Sequence, residues 1–397
     1  MTQSHVRALH SAAVDPQSVI NLAADLIRIP SVNGVGEAEA VSAIAGVLRR
    51  EQIEFRVEEV LPGRPNLIVE MGTGDGPTLW LNGHLDTVPI GNRLAWCREP
   101  FGGDIHDGRL YGRGASDCKG GVAAMIQAAV ALHRARVPLA GRLRLTAVMG
   151  DEEGWIGIRH LLDAGMKADA FVSTQWSTAG QIALGYRGLC WIDVTTLGRM
   201  AHGSRPASGI NAIEQMVDVV LPALRSLQLP SGEATPVMIP GPGVNLASLT
   251  GGDAPNIVPD LCRATLDYRL VSGQSSDQVV KAVDAALDAL RIAHPQLRVE
   301  RQVLLRAEPL FTDPACDLVR SLGQAVESVS GKPASYFGKT GTADANLVHE
   351  RLHIPAVAYG PGNDTGHGSD EWVGIDDLVN VARVYAAFAA DFLSPRT

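Results

Sequence analysis

The sequence predicts an α/β layer structure interrupted by a smaller α+β unit, and three observations carry that expectation. From residue 16 helical and strand-like segments alternate. "VINLAADLIRI" and "AEAVSAIAGVLRREQ" space their apolar residues for helices, whereas "NLIVEM", "TLWLNG", "RLRLTAVMG" and "AFVST" are short apolar runs closed by turn residues. Such alternation layers helices on a sheet. Near residue 186 the style changes: "LCWIDVTTLG", "GVNLASLTGG" and "LCRATLDYRLV" have period-two character, interleaved with the helices "NAIEQMVDVVLPALRSL" and "SDQVVKAVDAALDALRIA". After about residue 304 the first style returns, with "IPAVAYGPG" as a buried strand and "DDLVNVARVYAAFAADFL" as a closing helix. Residues 1–186 and 304–397 are therefore expected to form one discontinuous domain, with 187–303 inserted into it. Two domains suit 397 residues, a length beyond which one hydrophobic core usually stops growing.

Composition narrows the function. A net charge of -9 with scattered Lys and Arg leaves no basic stripe for nucleic acid. The opening "MTQSHVRALHSAAVDPQSVI" has no apolar run of signal-peptide length, and no segment approaches the roughly 20 apolar residues of a membrane span, so a cytoplasmic protein is expected. Cys97, Cys118, Cys190, Cys262 and Cys316 are far apart, odd in number and without a CxxC pair. They read as buried free thiols, not as a disulfide framework or a thiolate zinc site.

Four segments carry chemistry, each at the carboxyl end of a predicted strand, where open α/β sheets bind their ligands. "LWLNGHLDTVP" delivers His84 and Asp86, two apart on an extended chain and so on the same side. His84 offers a nitrogen ligand and Asp86 can hold its ring; the pair is equally read as a loop histidine with a helix-capping aspartate. "YGRGASDCKGGVAAM" sets Asp117 in a glycine-rich turn opening a helix near Lys119, where a cap is the bland alternative. "AVMGDEEGWIG" places Asp151, Glu152 and Glu153 in a row, and "GPGNDTGHGSDEWV" places His367 in a glycine-rich loop. Two histidines and several acids converging on one sheet edge suit a divalent cation, zinc above all, with cobalt or manganese as alternatives. The cation would offset the repulsion among adjacent acids.

In these segments, together with "AHGSRPASGINAI", "GGDAPNIVP" and "DYR", the chain resembles the peptidase M20 family, which includes acetylornithine deacetylase, succinyl-diaminopimelate desuccinylase, aminoacylase and carboxypeptidase G. "GKTGTADAN" resembles the branch acting on lysine and ornithine intermediates. The resemblance spans nearly the whole chain. It implies a metal-dependent hydrolase domain with a mixed sheet flanked by helices, plus an inserted lid through which the chain dimerises. It implies an enzyme cleaving an amide or related C–N bond of a small carboxylate-bearing substrate, such as an N-acyl amino acid or small peptide. His84 would bind one metal, Asp117 bridge both, and Glu153 with His367 complete the other. Asp86 would orient His84, and Glu152 would be the general base, taking a proton from a water acidified by the cation and giving it to the leaving nitrogen. His202 would reach into the partner's site and stabilise the oxyanion. Asn256 and Arg269 would hold substrate, the guanidinium suiting a carboxylate; Arg269 could instead only cover its sheet face. Trp155 and Trp176 would lie at the pocket mouth or in the core.

One position departs from the family pattern. After "ADAFV" the family has an acid that completes the metal shared by His84 and Asp117; here the text is "STQWS", with Gln175 in that place and Asp169 or Ser177 as substitutes if the match is shifted. A neutral amide contributes no charge, so one tight ion per chain is expected, with the second weak or absent, and with it a shift toward a non-peptide C–N bond. Two rivals remain: a non-catalytic binding scaffold, and a zinc protease built on "HERLH" at 349–353 with Glu371 as third ligand. Against the latter, the proline of the following "IP" restricts the residue before it away from helix. "FGKTGT" is no phosphate loop, because Pro333 stands where its first glycine must be.

Overall fold

The computed structural model describes residues 13–178, 180–235, 237 and 239–394; the first twelve residues of the opening stretch lie outside it. Described residues within 1–185, 312–338 and 343–397 form one compact unit, and those within 186–311 and 339–342 a second.

The first unit opens with α1 (Pro16–Arg28), started by Asp15, whose side chain accepts the Gln17 N–H, and by Pro16 at the first turn. Then come α2 (Glu37–Arg50), β1 (Phe55–Leu61), β2 (Arg64–Met71), β3 (Thr78–His84), β4 (Asp104–His106), β5 (Arg109–Tyr111), α3 (Lys119–Arg134), β6 (Arg142–Val148), α4 (Ile156–Asp163), β7 (Ala170–Ser173) and β8 (Gln181–Tyr186). After the second unit it resumes with α7 (Asp317–Ser330), β13 (Ser335–Lys339), α8 (Asp344–Leu352), β14 (Ala356–Ala358), β15 (Trp372–Gly374) and α9 (Ile375–Phe392). Its sheet runs β1-β2-β6-β3-β7-β14-β8. The central strands β6, β3, β7 and β14 are mutually parallel, with antiparallel neighbours outside them, so the sheet is mixed. Parallelism has one decisive consequence: the segments after β3, β6, β7 and β14 all emerge at the same edge.

Helix α3 is buried from Lys119 to Leu132. A helix apolar all round must be covered on every side, and α3 packs against β3, β6, α1 and α9. Its glycines permit that approach. A Cβ on Gly121 would stand 2.1 Å from the Thr174 carbonyl oxygen.

The second unit is an antiparallel sheet, β10 (Gly243–Gly251)-β11 (Leu261–Leu270)-β9 (Gly188–Leu197)-β12 (Arg298–Ala307), with α5 (212–225) and α6 (Ser276–Ala293). Alternate residues of β11, namely Cys262, Ala264, Leu266, Tyr268 and Leu270, are buried with Met216, Val220, Leu224, Val279, Val283 and Leu287 from the helices. That alternation is the physical content of the period-two pattern. The expected end of the insertion at 303 falls short, because β12 keeps pairing with β9 as far as Ala307↔Leu189. Helix α5 is not uniform either: residues Gln215–Val220 take a wider π turn just ahead of Pro222, which has no N–H to continue the ladder. Among the described residues no helix is long and apolar enough to cross a membrane.

Two glycines test the packing. Gly→Ala within a helix ordinarily adds about 0.5–1 kcal/mol, and Gly46 of α2, whose nearest neighbour is the tip of Arg50 at 3.7 Å, should follow that rule. Gly121→Ala should instead destabilise by about 1–3 kcal/mol through overpacking, read as a lower denaturant midpoint; equal shifts in the two variants would contradict this packing.

Candidate metal centre

Four segments deliver the site. The last residue of β3 is His84, 1% exposed. Its Nδ1–H donates to the Asp86 carbonyl oxygen at 2.9 Å, which leaves Nε2 facing the site. The Asp86 carboxylate also does something more: its two oxygens accept the backbone N–H groups of Asp151 (3.0 Å) and Glu152 (2.9 Å), clamping the acid turn after β6. Asp86 is thus an anchor of that turn, and it holds the His84 ring through its carbonyl oxygen and through its carboxylate, whose Oδ1 is 3.6 Å from Nδ1.

Asp117 lies between two imidazoles, with Oδ1 3.2 Å from His84 Nε2 and Oδ2 3.4 Å from His367 Nε2. Its loop is fixed by Glu371, fully buried, which accepts the N–H groups of Gly114, Ser116 and Asp117 at 2.8–3.0 Å and pairs with Arg113 at 2.7 Å. His367 sits between Gly366 and Gly368 in left-handed backbone (φ 65), and its Nε2 is 2.9 Å from Glu152 Oε1. The structure therefore brings His84, Asp86, Asp117, Glu152 and His367 together.

It does not bring Glu153 to Asp117 and His367. Both Glu153 oxygens bind the Arg64 guanidinium at 3.0 Å, and Arg64 also donates to the wholly buried Glu37. A buried guanidinium needs acidic partners, and Glu153 is one of them here. Gln175 is beside the site, its Nε2–H donating to Asp151 Oδ2 at 3.4 Å. Asp169 accepts the Thr78 N–H at the opposite end of β3, and Ser177 donates to the Gly360 carbonyl, so neither substitutes for it.

The electrostatics favour a cation. Burial would raise the Asp117 carboxyl, but the two imidazoles outweigh it and hold it well below the usual range. Burial would lower His84, yet the acids around it push it well above 6.5. Burial, reinforced by Asp344 and Asp86, raises Asp151, and its Oδ1 is buried with no hydrogen-bond partner. Asp86, Asp117, Asp151 and Asp344 thus crowd one buried imidazole. Uncompensated buried acids are costly, and a divalent ion suits such a donor set. Asp117, Glu152 and His367 have ligand atoms close enough to share one.

The rival zinc motif is not assembled. Helix α8 ends at Leu352, His353 has φ 54 outside it, and His349 Nδ1–H donates to the Ile354 carbonyl oxygen. Glu371 is committed to Arg113 and the Asp117 loop.

The family model for peptidase family M20/M25/M40 matches residues 80–391. The chain belongs to this family. A succinyl-diaminopimelate desuccinylase of Cereibacter sphaeroides is 30% identical over 392 residues, 96% of this chain and 100% of that one. An M20 family metallo-carboxypeptidase from Sulfolobus solfataricus shares the fold with a TM-score of 0.80 at 20% identity, covering 94% of this chain and 99% of that one. A dinuclear metal-binding M20 peptidase from Bacillus subtilis superposes with a TM-score of 0.70 at 18% identity, covering 95% and 98%. The chain is accordingly a metal-dependent hydrolase of amide bonds, with a small-molecule substrate.

In this M20 chain His202, Asn256 and Arg269 belong to the second unit. His202 Nδ1 accepts from Ser204, and the Asn256 carbonyl accepts the Gly203 N–H, so these two share one loop pair. Arg269, on β11, is paired with Asp267. Trp155 is 5% exposed under Arg159, a core residue, and Trp176 lies near Gly366. All five cysteines are free, but Cys97 is exposed and Cys316 part-buried, unlike the expected buried thiols. Sequence reading gave Glu371 a different role, as third ligand of the rival zinc motif, and missed Arg64, Glu37 and Asp344; the roles of all four rest on contacts between distant segments.

The His367 proton gives a measurable consequence. Hydrogen bonds to Asp117 and Glu152 raise its pKa to about 10, so at neutral pH the ring is an imidazolium, whereas a ligand must be neutral. Metal uptake should therefore release protons, and apparent affinity should climb with pH until about 10. Calorimetry in buffers of different ionisation heat checks this; uptake without proton release between pH 7 and 9 would contradict it.

Proposed function

We propose that the chain is a zinc-dependent deacylase, hydrolysing the amide of an N-acylated, carboxylate-bearing amine. The observation that carries the reading is Asp117 set between the His84 and His367 imidazoles, with the acid turn alongside. The desuccinylase relative, alike over its full length, makes N-succinyl amino acids the first substrates to try.

In this reading His367, Asp117 and Glu153 hold the tighter ion, Glu153 exchanging its Arg64 contacts for it, while His84 and Asp117 hold a weaker one. Bound cations supply acidification of water and polarisation of the substrate carbonyl. Glu152 is the proton carrier. Its part-buried carboxylate, fixed by Asp86 through its own N–H, accepts the proton of the attacking water and returns it to the departing nitrogen. Asn256 and Arg269 orient the substrate carboxylate, and His202 donates to the oxyanion across a homodimer formed through the second unit. The exposed edge strand β10 is a surface suited to such pairing, and sedimentation at rising concentration tests it. Five free cysteines, one of them exposed, suit a reducing cytoplasm.

Glu152→Gln separates the roles. It should keep the fold and both ions yet lose about 10²–10⁴-fold or more in turnover of N-succinyl and N-acetyl amino acids with zinc, cobalt or manganese, since base and acid functions vanish together. Glu153→Gln should lose an ion. Loss of the ion in Glu152→Gln with retention in Glu153→Gln would reverse the two assignments, and full turnover in Glu152→Gln would refute the mechanism.

A further inference from the structure

One cavity of the first unit takes no part in the metal centre. About 740 Å³ lie between the last turn of α7, the turn joining β4 to β5, and the first half of α9, within the roughly 300–1,000 Å³ usual for small-molecule sites. All its lining residues belong to that unit, and none is a candidate metal ligand.

Two polar groups in its wall are short of partners. Tyr359, just after β14, is 3% exposed and packs edge-on against Tyr385, yet its hydroxyl makes no hydrogen bond among the described residues. A buried phenol ordinarily finds a partner. Asp377, in the first turn of α9, accepts the Gly362 N–H through Oδ2 at 2.8 Å, and its Oδ1 accepts nothing from the described residues. Burial raises the Tyr359 hydroxyl and the Asp377 charge raises it further, so the two groups are neighbours. Burial also lifts the Asp377 carboxyl to about 6, which leaves it mostly anionic at neutral pH.

The charge of the wall decides what fits there. Asp107, Asp376 and Asp377 line it against two cations, Arg109 and Lys332, and Arg109 already lies over the Trp372 ring at 4.0 Å. The end of α7, at Val329 and Ser330, adds the negative pole of a helix. An anionic oxygen beside a phenol oxygen, in a wall of net negative charge, calls for a cation with several N–H bonds, and a primary ammonium has three. Val329, Ile375 and Val384 offer the rest of the wall to a short apolar chain.

We infer that this cavity is a binding site for a small primary ammonium ion carrying a short apolar chain, its ammonium held by Asp377 Oδ1 and the Tyr359 hydroxyl. Free amino acids and simple amines share that chemistry. The same wall supports the loop that carries His367, since Gly362 donates to Asp377 and the Trp372 carbonyl accepts from Ser116, next to Asp117.

Calorimetric titration of the full chain with isoamylamine and with L-leucine tests this. Saturable binding is expected, and isoamyl alcohol, of the same shape without the charge, should bind at least about tenfold more weakly. Binding of the amine but not of leucine assigns simple amines; binding of leucine assigns amino acids. Asp377→Asn should weaken the ligand at least about tenfold and Tyr359→Phe about threefold or more, whereas Glu152→Gln, at the metal centre, should leave it within about twofold. Absence of saturable binding by both ligands overturns the site, as does undiminished binding in Asp377→Asn, or loss of binding in Glu152→Gln, which would move the ligand to the metal centre. Should Asp377→Asn not fold, Tyr359→Phe, which removes one unbonded oxygen, decides alone.

Discussion

A part-buried carboxylate between two imidazoles is the constraint on which the site depends. His84 and His367, flanking Asp117, outweigh its desolvation and hold its carboxyl well below the usual range. Its position is set by Glu371, which binds three N–H groups of its loop and neutralises Arg113. Around this core lie Asp151, Asp86 and Asp344, all buried, with Lys119 a buried amine that feels Asp86 and Glu371; burial lowers Lys119 to about 7, so it is a partial counter-charge at neutral pH. The surplus of acid is what makes a cation part of the folded state and not an ornament.

The scaffold's contribution is geometric. Four parallel strands end at one edge, so residues as far apart as His84 and His367 meet without long loops. Gly121 of α3 lets that helix lie against Thr174 and so brings the start of α3, with Asp117 just ahead of it, down onto the strand ends. Asp86 then ties the β3 end to the β6 turn through two N–H bonds. Rigid elements thus fix the first contacts, and neighbouring buried acids fix those in turn.

Much of this was legible in the chain. Helix and strand periods predicted both units because each period reports one buried face, and strand-end placement gathered His84, the acid turn and His367, whereas Asp117 comes from the start of α3 and not from a strand of that sheet. The parts that were not legible share a cause. Glu371 holds Asp117 across 254 positions, and Arg64 holds Glu153 across 89; neither contact leaves a periodic trace. The end of the insertion was misjudged because "RVERQVLLRA" has no turn residue at 303 to stop β12. The "HERLH" match had the right letters and the wrong backbone, since the helix ends before its second histidine. Asp86 was expected to work through its carboxylate on the ring, and that carboxylate does lie 3.6 Å from His84 Nδ1 while also accepting two backbone N–H groups of the acid turn, a second role no local pattern announces.

The claim that the acids at this sheet edge exist to hold cations is tested most directly by anomalous diffraction at the zinc edge from crystals of the zinc-loaded chain. The account predicts a strong peak about 2.0–2.2 Å from an Asp117 oxygen and from His367, with a weaker one on the His84 side. A well-ordered site with no peak at Asp117, or with zinc only at His349 and His353, would contradict it.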